Sequence, residues 1–204
     1  MPKTLVLIAV VCSVVCCSIV RCVPGCAAEE TASESMVERG LKISPVAINL
    51  HGKDRNVVGW GSYLVNAVAD CGGCHTFPQF LTGGDPFQGS SRTPIPPVRN
   101  TRHYLAGGFC FGRVISGNLT PNLDTGLPSN LTLQQFITAM RSGNGNSPGL
   151  LHIMPWPTYH NMTERDLGAI YQYLSCIPHA EPCNGSCPPS YPNSKDCPNP
   201  APPR

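Results

Sequence analysis

Charge is sparse in this chain: Lys, Arg, Asp and Glu together make up 13% of 204 residues, and apart from the acidic stretch of residues 29–38 no run concentrates one sign. Two of the 14 basic residues, Lys3 and Arg21, lie in a leading segment expected to be removed, which leaves basic and acidic residues balanced. With no polybasic run to neutralise a phosphate backbone, a nucleic-acid partner is not expected. Long apolar runs are also scarce. Only residues 5–20 approach the length needed to cross a bilayer, so a polytopic membrane protein is not expected. The sequence offers no phosphate-binding loop and no strong hydrolytic or dehydrogenase motif. It has little β signal, no β-α-β pattern around a dithiol, and no second C-x-x-C at zinc-ribbon spacing.

Cysteine, proline and glycine are plentiful, at 12, 22 and 20 residues. The chain opens with Lys3, an apolar run and small residues at 25–28, the pattern of an export signal or an uncleaved N-terminal anchor. Val23-Pro24-Gly25-Cys26 also resembles a lipoprotein box. Lipid on Cys26 would tether the domain to a membrane, whereas cleavage after Ala28 would release it. Export makes the cysteine count intelligible, because disulfides persist in oxidising compartments. Cys26, Cys110, Cys176, Cys183, Cys187 and Cys197 are available for pairing in 15 ways. Bridges in a loop-rich tail are the expectation for Cys183, Cys187 and Cys197.

The most informative residues are Cys71-Gly72-Gly73-Cys74-His75. Each thiol can add across one haem vinyl group, and the adjacent imidazole then reaches the iron, so C-x-x-C-H reads as c-type haem attachment. The flanking chain divides into 1–28 (signal or anchor), 29–56 (linker and extended lead-in), 57–178 (haem domain) and 179–204 (Pro/Cys-rich tail outside the core). Helical spacing over 57–69 runs directly into Cys71. The Gly- and Pro-rich span 77–111 has no sustained period and reads as a long irregular loop. Thr132 with Gln135 forms a capping box, Gly143 stops that helix, and Leu133, Phe136, Ile137 and Met140 share a face. Thr163 caps a last helix with Glu164 and Asp166 in its first turn, an apolar stripe of Leu167, Ile170, Tyr171 and Leu174, and Pro178 beyond it. The fold class is all-α, with three to five helices around one covalent haem and long irregular loops.

An electron-carrying haem needs a sixth ligand, and a thioether raises the potential and closes the iron. Met140, Met154 and Met162 are the downstream candidates. Met140 fits core packing, and Met162 fits a staple ahead of Thr163. Met154, in a segment stiffened by Pro155 and Pro157, is the favoured ligand. Bis-histidine ligation through His152 or His160 remains open. These two, with His51 and His103, also fit the role of solvent-facing loop residues. Trp156, Tyr159 and Arg113 are candidates for haem propionates, or ordinary core and surface residues.

Several separated segments resemble bacterial class I cytochromes c. They are Gly61-Ser62-Tyr63-Leu64-Val65-Asn66 before C-x-x-C-H-T; Ser116-Gly117-Asn118-Leu119-Thr120-Pro121; Gln134-Gln135-Phe136 with Arg141-Ser142-Gly143; and Met154-Pro155-Trp156 with the helix after Met162-Thr163. The Asn-Leu-Thr-Pro and Met-Pro segments are similar to cytochrome subunits that accompany periplasmic dehydrogenases. Such subunits often carry three haem motifs and this chain has one; its tail has no counterpart in the minimal pattern. The resemblance implies that the first and last helices cross, with Gly59 or Gly61 near Tyr171. It also implies one haem c on Cys71 and Cys74, iron held by His75 and Met154, and redox proteins as donor and acceptor in the periplasm. Two alternatives are a haem enzyme with a displaceable sixth ligand and a thiol or zinc module built on Cys71 and Cys74.

Overall fold

The computed structural model describes residues 35–89, 95–111, 114–145, 151 and 153–183. The expected signal or anchor, Cys26, Arg113, His152, Cys187 and Cys197 lie outside them. In chain order, the elements are α1 (35–43), α2 (Arg55–Tyr63) running into a π-helical turn (Leu64–Val68), α3 (Cys71–His75), a 3-10 turn (Pro86–Gln88), strands β1 (Cys110–Phe111) and β2 (Val114–Ile115), α4 (Leu133–Ser142), α5 (Trp156–Tyr159) and α6 (Glu164–Leu174). The molecule is mainly helical, in keeping with an all-α cytochrome c-like fold. Among the described residues the β structure is one antiparallel pair of two-residue strands, with Cys110 opposite Ile115 and Phe111 opposite Val114, plus isolated bridges.

The helix ends follow local chemistry. The Asp54 carboxylate accepts from the Asn56 and Val57 amides and starts α2. Thr132 and Gln135 form the reciprocal capping box of α4, and Gly143, in the left-handed region at φ 70°, ends it. Thr163 caps α6 by accepting from the Asp166 amide at 3.1 Å. Each such cap satisfies amides that the helix cannot pair itself.

The core forms where α2 crosses α6. Val58, Leu64 and Val65 meet Leu167, Ile170, Tyr173 and Leu174, all at most 5% exposed, and Phe136, Ile137 and Met140 of α4 complete the cluster. Each large apolar side chain so buried contributes roughly 1.5–3 kcal/mol. Leu133, expected on that face, is 39% exposed at the start of α4. Gly61 makes the crossing possible: a Cβ there would overlap the Ala169 carbonyl oxygen and lie 3.0 Å from Tyr173 Cβ. The close approach is therefore to Ala169 and Tyr173 rather than to Tyr171. Trp60 Nε1 donates to Asp166 at 2.8 Å and locks the same pair of helices.

Residues 35–43 are helical where a linker and the start of an extended lead-in are expected. Val37 is buried, and a Cβ on Gly59 would meet its side chain at 2.7 Å. The cause is tertiary: α1 is short and mostly polar, and it is held by the glycine surface of α2. Residues 179–183, expected to form a tail outside the core, lie against the loops at His103, Asn118 and Pro121 through His179, Ala180 and Glu181.

Candidate functional site

The C-x-x-C-H residues form their own short helix, α3. Asp70, in the left-handed region at φ 43°, turns the chain out of the π-helical turn and into Cys71. Asp tolerates that region better than most residues. The motif is thus presented at the end of the α2 rod, which the core holds against α6. Cys71 is half-buried, Cys74 exposed, and both thiols are free.

His75 is oriented by its loop partner. Its Nδ1 lies 2.8 Å from the Gly117 carbonyl oxygen, which fixes Nδ1 as the protonated nitrogen and leaves the Nε2 lone pair available. A metal-ligating imidazole needs this division of roles. Burial lowers the His75 pKa, with the Gly117 carbonyl opposing, so the ring is neutral and able to ligate.

The Gly117 carbonyl is itself placed by main-chain bonds. The Gly107 amide donates to the His75 carbonyl at 2.7 Å, Gly108 to Ser116 at 3.0 Å, and Leu119 to Leu105 at 2.8 Å. Thr76, fully buried, accepts the Leu105 amide on Oγ1 at 3.0 Å. Gly107 adopts φ +81°, and a Cβ there would lie 2.6 Å from the Gly117 carbonyl. Composition gives no sign of these roles, since any residue supplies a carbonyl. Gly117 stands in the Ser116–Pro121 segment that carries the family resemblance, and that is the one signal that could have found it.

Met154 is half-buried and packs against the core cluster, as do Cys71, Tyr159 and Met162. Its segment is anchored at both ends. The Leu151 amide donates to the Gly143 carbonyl at 2.8 Å, Trp156 lies over Gly143, and His160 Nδ1 lies 2.8 Å from the Arg141 carbonyl. The Tyr159 hydroxyl donates to the Ala69 carbonyl at 3.1 Å, two residues before Cys71. Burial, then Cys71, Cys74 and Asp70, push the Tyr159 pKa up to about 12, so this tyrosine sits beside the haem motif. Trp156, by contrast, is accounted for by its packing on the end of α4.

Met140 is buried in the core, as its stripe implies. His51 is exposed, and its main-chain amide donates to Asn49 Oδ1 at 3.0 Å. His103 and His160 each engage a backbone carbonyl through Nδ1.

The thiols do not suit dithiol redox chemistry. Burial and then the Asp70 carboxylate push the Cys71 pKa up to about 12, and the same causes raise Cys74. A reactive dithiol needs its thiolate stabilised instead. Among the described residues no group of three or more His, Cys, Asp or Glu is arranged to hold a metal ion.

The donor set suits a haem. Two free thiols and an imidazole with its Nε2 available stand on one short helix, and half-buried apolar and thioether side chains are close to the core. Arg141 Nε is buried without a hydrogen-bond partner among the described residues, a cationic donor that a propionate-bearing group would satisfy.

A second polar feature adjoins the motif. Tyr104 donates to Asn66 Oδ1 at 2.6 Å and lies 3.0 Å from the Tyr173 hydroxyl, which lies 2.9 Å from Ser44 Oγ. Asn66 also donates to the Ser62 carbonyl at 2.9 Å. This network ties α1–α2, the loop at Tyr104 and α6 together behind Cys71. Burial pushes the Tyr104 pKa well up, which keeps the phenol protonated as a donor.

Comparison with known proteins points the same way. The chain is similar to cytochrome subunits of dehydrogenases. It is 31% identical over 141 residues to the fructose dehydrogenase cytochrome subunit of Gluconobacter japonicus, covering 67% of this chain and 24% of that subunit. It is 28% identical over 135 residues to the cytochrome c subunit of the quinone alcohol dehydrogenase of Gluconobacter oxydans, covering 62% and 26%. A stretch of 111 residues is 29% identical to a nicotinate dehydrogenase subunit from Pseudomonas putida, covering 54% and 8%. The chain thus spans about a quarter of the first two relatives and less of the third. No family model matches it.

Proposed function

We propose that this chain carries one haem c, joined by thioethers to Cys71 and Cys74, and passes electrons between redox partner proteins. The observation that carries this reading is the His75–Gly117 hydrogen bond on the C-x-x-C-H helix, which leaves Nε2 free beside two free thiols. When bound, the group supplies a one-electron ferric/ferrous couple. His75 would give its Nε2 to the iron, and Gly117 keeps its ring in one tautomer and orientation. Met154 would offer its thioether from a segment anchored at Gly143 and, through Tyr159, at Ala69. No acid or base is needed. Export, with residues 1–28 as signal or anchor and Cys26 as a candidate lipid site, puts the domain in the periplasm, where haem attachment and disulfides are compatible.

The named relatives favour a related reading, in which the chain is the electron-accepting part of a dehydrogenase complex. The test of the ligand set is Met154→Ala in the haem-loaded protein. The expected result is loss of the weak long-wavelength absorption of Met-ligated ferric iron, with conversion from low to high spin. An unchanged spectrum refutes Met154 as ligand and favours His ligation or an open sixth site.

A further inference from the structure

We propose that residues 179–183 form a strap that holds the Gly117 carbonyl against His75 and so acts as a positioning element for the proximal ligand. The strap contacts the chain on both sides of Gly117. On one side, Asn118 Nδ2 donates to the Ala180 carbonyl at 2.8 Å, the Ala180 amide donates to Thr120 Oγ1 at 3.2 Å, and His179 Nδ1 lies 2.8 Å from the Pro121 carbonyl. Thr120 is itself locked to Asn118 Oδ1 through its amide at 2.8 Å and its hydroxyl at 2.7 Å. On the other side, the Cβ position of Gly108 lies 3.4 Å from the Cys183 carbonyl oxygen and 3.7 Å from both the Cys183 nitrogen and Pro182 Cβ. Gly108 donates to Ser116, the residue before Gly117, and Ser116 donates to Phe109. His103 Nδ1, 2.8 Å from the Glu181 carbonyl, fixes the strap between these two contacts.

The consequence for iron ligation rests on the haem reading above; the strap's contacts do not.

Positioning is tested on the ferrous haem protein by NMR hydrogen exchange of the His75 Nδ1 proton. In Asn118→Asp, which keeps the acceptor for Thr120 but loses the donor to Ala180, this proton should exchange roughly five- to tenfold faster. The core amides of α6 should keep their rates. An unchanged His75 proton, or equal acceleration of all amides, overturns the positioning role. Absence of covalent haem would instead refute the haem reading and the positioning role with it.

Discussion

Replacing Gly61 by alanine tests the helix crossing that presents the haem motif. The new methyl would overlap the Ala169 carbonyl oxygen and stand 3.0 Å from Tyr173 Cβ, and both are rigid parts of α6. The helices must therefore separate. Overpacking of this kind costs about 1–3 kcal/mol. Separation also strains the hydrogen bonds of Tyr173 to Ser44, Asn66 and Tyr104, of which losing one or two adds about 1–2 kcal/mol. Better helix propensity returns about 1 kcal/mol. The net loss is about 3 kcal/mol, a fall in Tm of roughly 10 °C for a domain of this size. Gly168→Ala is the internal control. It lies on the same helix α6 with nothing within 4 Å of its Cβ position, so it should gain up to about 1 kcal/mol. Thermal unfolding followed by circular dichroism reads both. Equal behaviour of the two variants would refute the close crossing.

Three further outcomes are expected. Thr132→Ala removes the capping box of α4 and should cost about 1 kcal/mol in urea unfolding; no change would mean that the cap is idle. Gly107→Ala, at φ +81° and facing Gly117, should keep covalent haem but weaken His75 ligation, seen as a spin-state change in the visible spectrum, and an unaltered spectrum would refute the loop's role. His179 has its pKa raised, first by the hydrogen bond to Glu181 and then by the Pro121 carbonyl. A raised imidazole contributes fully below its ordinary value near 6.5 and loses that contribution as pH rises through the raised value. Amide exchange at 179–183, corrected for its intrinsic pH dependence, should therefore show protection falling as pH rises through that raised value. Glu181→Gln should flatten that dependence, and persistence of it would refute the assignment.

Where a local chemical rule governs, the structure is legible from the residues. Thr132 with Gln135, Gly143 and Thr163 mark helix ends because each satisfies a specific amide or backbone angle. Cys71, Cys74 and His75 stand together by spacing alone, and they share one short helix. What cannot be read is what depends on distant backbone. The helix at 35–43 exists because glycines on α2 admit it, and its polar, short sequence carries no strong period. The docking of residues 179–183 runs largely through main-chain groups, which Pro- and Cys-rich composition does not reveal. Gly117 acts through a carbonyl, a group every residue owns. Asp70 at positive φ and the Tyr104–Asn66–Tyr173 network likewise depend on tertiary neighbours. Gly61 is legible as a crossing point, but its partners lie two residues to either side of the expected Tyr171, because a one-face stripe does not fix which turn of α6 it meets.

The most direct test of the haem reading is the mass of the denatured full chain, produced with export and cytochrome c maturation, beside Cys71→Ala/Cys74→Ala. The account predicts that the native sequence is heavier by one haem, localised to the peptide containing Cys71 and Cys74, and that the double variant is not. A chain with no added mass, or a haem lost on denaturation, would contradict it.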